Sequence, residues 1–556
     1  MSAEIEQAGA ISPVHRFRRA GLVTLAAVGL AVATMVTVWV ASLGPLPLEQ
    51  AREVSTTIVD RHGKLLRAYA MADGRWRLPV NAATDVDPTY LKLLFAYEDH
   101  RFRSHAGVDP LALGRAAVQL ITRGHIVSGG STITMQLARL MEPRRQRSIS
   151  AKFRQMVRAI EIERQMSKDQ ILDLYLAMAP FGGNLEGIRA ASIAYLGKEP
   201  KRLSLSEAAL LVALPQSPEN RRLDRYPNAA RAARDRVLDR MVEEGVVSDD
   251  DAASAKAAPV PKLRKPMPIL APHSADQAMA SVKNKPVIAL TLDASLQQAL
   301  ETLARDRAVA LGPNVSIAIL AVDNASGEVL ARVGSPDYDS RAGQVDMTRA
   351  VRSPGSTLKP FIYGLAFEDG FVHPESLIDD RPIRFGSYAP ENFGMTFQGT
   401  VRVRKALQMS LNVPAVALLD RVGASRLSSR LKQAGADLIL PKDEAPGLAM
   451  GLGGVGITLQ DLVMLYSGLA RLGNARPLLE IQNQRGEGRE PERLLDQVAA
   501  WQVGNVLLGT PPPENGVHNR IAFKTGTSYG YRDAWSIGFD GRITIGVWVE
   551  IGRAHV

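Results

Sequence analysis

The chain has 556 residues, 46% of them hydrophobic and 22% charged, with a net charge of +10 and no cysteine. That balance excludes a mainly disordered chain, and the absent thiols exclude a disulfide framework, a thiolate metal site and a cysteine nucleophile. The length suits about three or four domain-sized units, and the positive excess favours an anionic partner: nucleic acid, a phospholipid surface or a phosphate-bearing substrate.

The first predicted element is apolar. Residues 21–43, GLVTLAAVGLAVATMVTVWVASL, carry no charge. A helix needs about 20 apolar residues to cross the hydrocarbon core, so this stretch is long enough. Arg16, Arg18 and Arg19 precede it and hold residues 1–20 in the cytoplasm by the positive-inside rule, while Trp39 suits the far interface. The competing reading is a cleaved signal peptide. Its apolar region would be shorter, and Gly44-Pro45-Leu46-Pro47 offers no small-residue cleavage site. The expectation is an uncleaved single-pass anchor with the rest of the chain outside the cytoplasm, which demotes nucleic acid as the partner.

Residues 44–74 form a connecting region, and the alternation over 55–80 predicts short strands around the turn Asp60-Arg61-His62-Gly63. Residues 75–250 read as mostly helical, interrupted by the loop Pro180-Phe181-Gly182-Gly183-Asn184. Residues 251–284 form a linker whose centre, AAPVPKLRKPMPILAP, is rich in proline. Residues 285–550 read as mixed α/β. VSIAILAVD and EVLARVG form one hairpin, TLKPFIYGLAFEDG a helix, and DAWSIGFDGRITIGVWVE a second hairpin turning at Asp540-Gly541. No internal repeat is present.

Two constellations carry chemistry. In the helical half, Glu98-Asp99-His100-Arg101-Phe102-Arg103-Ser104-His105-Ala106-Gly107 ends an apolar helix. A lone glutamate there reads as a solvated helix-end charge; beside a basic and aromatic cluster it can also serve as a general base on a hydroxyl. Gly129-Gly130-Ser131-Thr132-Ile133-Thr134-Met135-Gln136 follows, then Arg144, Arg145, Arg147, Lys152, Arg154 and Arg158. Such cations form a solvated helix face or hold a pyrophosphate leaving group. In the mixed half, Ser356-Thr357-Leu358-Lys359 follows Pro354-Gly355. An i+3 spacing places serine and lysine on one helix face, where the lysine can take the hydroxyl proton. A second such box, Ser429-Arg430-Leu431-Lys432, reads as a surface accident, because only the first is followed in order by Ser410-Leu411-Asn412 and Lys524-Thr525-Gly526-Thr527.

At these residues the sequence resembles the class A penicillin-binding proteins. The string 98–107 matches every fixed position of the family's glycosyltransferase motif E-D-x-x-F-x-x-H-x-G, and 129–136 matches its second motif except at Met135. Ile171–Leu176, Glu207–Leu211 and Leu214-Pro215-Gln216-Ser217-Pro218 fit further family pieces. Two positions depart from the pattern: Gln155 stands where the family has a second glutamate, and Ala177 where it usually has asparagine. Ala179–Gly183 and Asp369–Leu377 resemble one branch of the family, which also carries glutamine at the Gln155 position.

The resemblance implies a multidomain fold: a transmembrane helix, a mostly α lysozyme-like glycosyltransferase domain, then an α/β transpeptidase domain like the serine β-lactamases. It makes Glu98 the base in the joining of lipid II units, with Lys152 on the donor pyrophosphate. Ser131, Thr132, Gln136 and Gln155 complete the substrate-binding set, and Arg154 is added from its charge and its closeness in sequence. In the second domain Ser356 becomes the acyl nucleophile, Lys359 its base, and Ser410 and Asn412 proton-handling partners. Lys524, Thr525, Gly526 and Thr527 bind the substrate carboxylate, and the N–H groups of Ser356 and Thr527 form the oxyanion hole.

The implied substrates are lipid II, nascent glycan and D-Ala-D-Ala stem peptides, with β-lactams as inhibitors and transpeptidase or carboxypeptidase outcomes. No cofactor is required, with room for a divalent cation, Mg or Mn, at the first site. The implied place is the bacterial inner membrane with both domains periplasmic; cell-wall assembly proteins stay open as partners and nucleic acid is not expected. A catalytically weak wall-assembly scaffold is the alternative, motivated by Gln155 and Ala177. Residues 551–556, IGRAHV, back-translate into a common sequencing adapter. The expectation from this is a natural chain that continues beyond them.

Overall fold

The computed structural model describes residues 13–123, 130–142, 148–386, 388–441, 445–482 and 492–551. Expectations placed on residues 1–12, on Gly129, on Arg144, Arg145 and Arg147, and on 552–556 lie outside them. The chain divides into two units, Met1–Ser55 with Ala70–Pro266, and Thr56–Tyr69 with Met267–Val556.

The first unit is helical. Helix α1 spans Pro13–Ser42. Among the described residues no helix is long and apolar enough to cross a membrane, and several side chains of 13–26 lie outside that description. Helix α2, Pro88–Glu98, starts where Asp87 accepts the Thr89 N–H and proline occupies the first turn, and it stops at Asp99. Helices α3 (Pro110–Arg123), α4 (Ile133–Met141, capped by Thr132) and α5 (Ile149–Gln165, capped by Ser148) follow. Next come α6 (Lys168–Met178), α7 (Leu205–Ala213) and α8 (Pro227–Glu243). Reciprocal capping boxes, Ser167 with Gln170 and Ser204 with Glu207, set the starts of α6 and α7. Helix α7 is buried from Ala208 through Ala213 and packs against α2 and α8, so it is the core on which the Glu98 helix rests.

The same unit fastens the end of α1. Buried Arg158 of α5 donates to the carbonyls of Leu43 (2.7 Å) and Gly44 (2.9 Å) and pairs with Glu142 and Glu161, both at 2.7 Å. The ring of Trp39 lies 5.4 Å from that of Phe153.

In the second unit, strands β1 (Thr57–Val59) and β2 (Leu65–Ala68) form the hairpin expected around Asp60, whose carboxylate accepts the N–H groups of His62 and Lys64, each at 2.8 Å. Local sequence did not show their partner: β1 pairs in parallel with β3, Val287–Ala289. The main sheet has five antiparallel strands in the order β6-β7-β8-β4-β5, with β4 Val315–Asp323, β5 Val329–Val333, β6 Ala522–Thr527, β7 Asp533–Phe539 and β8 Ile543–Ile551. Both expected hairpins, β4–β5 and β7–β8, are present. Helix α9 (Ala294–Leu311) packs on β4 and β5. Helices α10 (Lys359–Glu368), α11 (Asn412–Val422) and α13 (Leu459–Ala470) share the core, and α12 (Ala424–Gln433) lies beside α11.

Helix α10 decides where the chemistry sits. Every residue from Lys359 to Phe367 is buried, as expected of a helix apolar on all sides. Its first residue, a lysine, is carried into the core with it.

Candidate active sites

In the first unit Glu98 ends α2 at a cleft of about 610 Å³ lined by Arg101, Arg115, Ser131, Gln136, Arg139, Gln155, Gln216 and Arg240 among others. Both carboxylate oxygens accept from neutral amides: Oε2 from Gln136 Nε2 at 2.7 Å and Oε1 from Gln216 Nε2 at 2.9 Å. Among the described residues no cation is bonded to the base; Arg101 and Arg240 are paired with Asp109 and Glu244, which leaves Arg115 and Arg139 to an incoming anion. Arg115 and Arg139 are exposed and form no ion pair among the described residues.

Asp99 is structural. It accepts the Ile133 N–H at 2.9 Å and faces His105 Nε2 at 3.0 Å, binding the first motif to the start of α4. Gly107 (φ +90°) closes that motif on α5, where a Cβ would come within 2.6 Å of the Ala159 carbonyl.

Lys152 of α5 donates to the Ser131 hydroxyl, and burial, then the Arg139 charge, lowers its pKa. Gln155 lines the same cleft. Thr132 is buried, with its hydroxyl committed to the Gly107 carbonyl (2.6 Å) and the cap of α4 (3.1 Å), so it builds the cleft wall and is not free for substrate.

Arg154 is engaged elsewhere: its guanidinium pairs with Glu142 at 2.7 Å, and it does not line the cleft; Lys152 does not line it either but reaches its wall through Ser131. Lys152 and Gln155, three apart, share a helix face; a residue two positions on is turned roughly 200° away. Ala177 is likewise buried in α6, outside the cleft lining.

The carboxylates here do not suit a divalent cation. Those of Glu98, Asp99, Asp109 and Glu244 are held by amides, by His105, by Arg101 and by Arg240, Gln155 cannot ionise, and among the described residues no metal-holding group of three or more such side chains occurs.

In the second unit Ser356 lies in a 3-10 turn, Gly355–Leu358, that feeds α10. Gly355 (φ +54°) lets this turn meet the edge strand β6; a Cβ there would lie 2.4 Å from the Thr527 carbonyl. The Ser356 and Thr527 backbones are thus adjacent. Gly526 allows the reciprocal approach, with the Pro354 carbonyl 2.5 Å from a would-be Cβ. Tyr466 donates to the Thr357 carbonyl (2.7 Å) and Trp535 to that of Ser353 (2.9 Å), bracing the turn from α13 and β7.

Behind Ser356, Lys359 is 0% exposed and donates to the Ser410 carbonyl and to Asn412 Oδ1, both at 2.6 Å. Lys524 is 4% exposed and donates to the Ser410 hydroxyl and the Thr525 carbonyl, both at 2.8 Å. Burial, then the charge of Lys524, holds the Lys359 ammonium well below its ordinary range; burial brings Lys524 down to about 7. Ser410 stands between the two lysines with φ +58°, a costly conformation for a residue with a Cβ. Thr525 and Thr527 alternate outward from Lys524 along β6 and are exposed. The second box, Ser429 to Lys432, sits on α12 with Ser429 and Lys432 exposed and Arg430 tied to Glu368 at 2.8 Å, so it has no such company.

These two sites coincide with two matched families. Residues 62–242 match the transglycosylase family and residues 317–546 the penicillin-binding protein transpeptidase domain. Penicillin-binding protein 1F of Bacillus subtilis is 30% identical over 89% of this chain and 73% of its own length. The chain belongs to the class A penicillin-binding proteins. Penicillin-binding protein 1C of Escherichia coli is 44% identical over 91% of this chain, which spans 66% of that protein. The crystal structure of penicillin-binding protein 1A from Haemophilus influenzae superposes with a TM-score of 0.50 over 90% of each chain at 16% identity, a likeness of fold alone.

Against the other class A sequence motifs, Gln216 was visible only as part of a matched string. Its bond to Glu98, 118 positions away, belongs to the fold. Arg115 and Arg139 carried no motif at all.

Proposed function

We propose that the chain is a bifunctional peptidoglycan synthase, polymerising lipid II and cross-linking the stem peptides. What carries this reading is the presence, in one chain, of the amide-held Glu98 in a cationic cleft and of two desolvated lysines meeting at Ser410 behind Ser356.

In glycosyl transfer Glu98 takes the proton from an acceptor sugar hydroxyl, whose oxygen attacks the donor anomeric carbon. The carbon–oxygen bond to undecaprenyl pyrophosphate breaks, and Lys152, Arg115 and Arg139 receive the anion. One base without a covalent sugar intermediate inverts the anomeric centre. No step runs through a metal ion.

In transpeptidation the neutral Lys359 amine spends its two hydrogens on the Ser410 carbonyl and Asn412 Oδ1, leaving a lone pair for the Ser356 proton. Ser356 Oγ bonds to the penultimate carbonyl of D-Ala-D-Ala, and the N–H groups of Ser356 and Thr527 stabilise the oxyanion. The proton returns through Lys359 and Ser410 to the departing D-Ala, and Lys524 with Thr525 and Thr527 holds the terminal carboxylate. An amine on a second strand, or water, then releases the acyl group. β-Lactams acylate Ser356 by the same route.

The uncharged run 21–43 behind Arg16, Arg18 and Arg19 supports a single-pass anchor in the inner membrane with both units periplasmic. The exposed apolar residues Val28, Leu30, Val32, Met35 and Val38 of α1 suit a lipid environment. A second reading, a weak glycosyltransferase that mainly assembles the machinery, draws on Gln155 in the cleft wall.

Incubating the full chain with lipid II, with and without penicillin, tests both. Glycan strands in both arms and cross-links only without penicillin are expected. Penicillin labelling without any glycan would favour the scaffold, and neither product would overturn the proposal.

A further inference from the structure

Asn412 must present its carbonyl oxygen, not its amide nitrogen, to Lys359. The two ends of the side chain are nearly the same shape, so something outside the matched motifs has to choose between them. The β-structured excursion between α10 and α11 supplies the choice. Asn412 Nδ2 donates to the Glu391 carbonyl at 2.6 Å, an acceptor that cannot become a donor, and Oδ1 is left for Lys359.

The adjacent residue, Asn392, fixes where that carbonyl stands. Its Oδ1 accepts the Asn412 N–H at 2.8 Å, a donor at the first position of α11 that no side-chain cap satisfies. Its Nδ2 faces acceptors only: the two oxygens of Asp380 at 2.8 and 2.9 Å and the Thr396 carbonyl at 3.0 Å. Asp380 also accepts the Gln398 N–H at 2.7 Å. Asp380 is 0% exposed and Asn392 6% exposed, and Asp380 forms no ion pair among the described residues. A carboxyl buried at such cost and bonded, among the described residues, to an asparagine and one backbone N–H is not there to bind a cation.

We infer that Asp380 and Asn392 are positioning residues for acylation: they lock the Asn412 amide so that Lys359 keeps its lone pair for Ser356. With Asn412 reversed, its N–H would donate to that lone pair and the base would be occupied. The inference rests on the reading of Ser356 as the acylated nucleophile.

The test is rapid-mixing acylation of the full-length chain by a fluorescent penicillin, which separates the acylation rate constant from the fraction of molecules labelled. Asp380→Asn keeps the shape but lets position 380 donate, so Asn392 is free to turn. The acylation rate constant should fall about 10–100-fold, as misplacement of a catalytic group does, with the labelled fraction near that of wild type. Raising the pH should not restore it, because the fault is an occupied lone pair and not a protonated amine.

The double variant Asp380→Asn with Asn392→Asp exchanges donor and acceptor across the pair and keeps an acceptor for the Asn412 N–H, while it sets a carboxylate oxygen against the Thr396 carbonyl. It should acylate faster than the single variant without reaching the wild-type rate, and a double variant no faster than the single overturns the inference. A single variant acylating at the wild-type rate overturns the inference. So does a loss confined to the labelled fraction, which marks a folding defect that exchange cannot mend. A wild-type chain that never labels overturns the functional reading itself, and this inference with it.

Discussion

The two sites solve the problem of handling charge in opposite ways. The Glu98 cleft is open, and its base is held by two neutral amides while Arg115 and Arg139 stand exposed at its wall. At the Ser356 site two lysines are buried within bonding distance of one serine, and burial lowers the pKa of both before any substrate appears. In the first, substrate brings the charge and the protein supplies orientation. In the second, the protein stores the electrostatic cost in its own fold. Mutations in the cleft should therefore change rate and affinity with little effect on stability, whereas mutations of the buried lysines should change both, in opposite directions.

The strongest way to break this comparison is to silence the base of one site and the nucleophile of the other in turn. Ser356→Ala should abolish penicillin labelling while leaving glycan polymerisation intact. Glu98→Gln should lower polymerisation by about 10²–10⁴-fold, the range of a lost general base, with labelling unchanged. Gel analysis of products from labelled lipid II, beside fluorescent-penicillin gels, reads both; one variant silencing both activities would show that the sites are not separable.

Lys524→Met sharpens it next. Acylation by D-Ala-D-Ala donors should drop about 100-fold, yet the transpeptidase unit should melt at a higher temperature. The sign follows from linkage. Lys524 loses its proton near pH 7 when folded but near its ordinary 10.5 when unfolded, so between those values the unfolded chain binds more protons. The stability penalty is full below about pH 7 and disappears as pH rises towards 10.5. It amounts to at most about 5 kcal/mol. Calorimetry at pH 7 and pH 10 should show the variant's advantage shrinking at the higher pH. Over the same range wild-type kcat/KM should decline above pH 7, as the cation that meets the substrate carboxylate is lost.

A smaller effect belongs to Gln216→Leu. Loss of one of two amide donors to Glu98 should cost about tenfold in polymerisation kcat, with KM for lipid II nearly constant. Smallest of all, Arg139→Ala should raise KM several-fold, and Arg154→Ala, facing away with Glu142, should leave KM unchanged. Equal effects of the two arginines would contradict the placement of the cleft.

Much of both sites was legible in the sequence because their key residues lie in short strings. Ser356 and Lys359 share a turn, and Lys524 to Thr527 share a strand whose alternation sends lysine inward and the threonines out. What escaped was long-range or directional. Gln216 reaches Glu98 only once α7 is packed on α2, and β1 finds its parallel partner β3 beyond the whole helical unit. Arg154 is engaged elsewhere for a simpler reason: nearness along a helix is not nearness around it. Asp380 ends a short strand, Leu377–Asp380, whose other positions are exposed or half-buried, and Asn392 lies in irregular chain, so no alternation announces a buried carboxyl.

The clasp at the end of α1 has a mechanical consequence. Arg158 grips the carbonyls just past the end of that helix, those of Leu43 and Gly44, from the same α5 that carries Lys152 and places Gln155 in the cleft wall. On the anchored reading, α5 works as a gauge: the height of the polymerising cleft above the lipid surface is set by one guanidinium and two carbonyls. On the same reading, a lipid-tailed donor with its chain in the bilayer and its sugar at Glu98 would be measured against that gauge each time it docks.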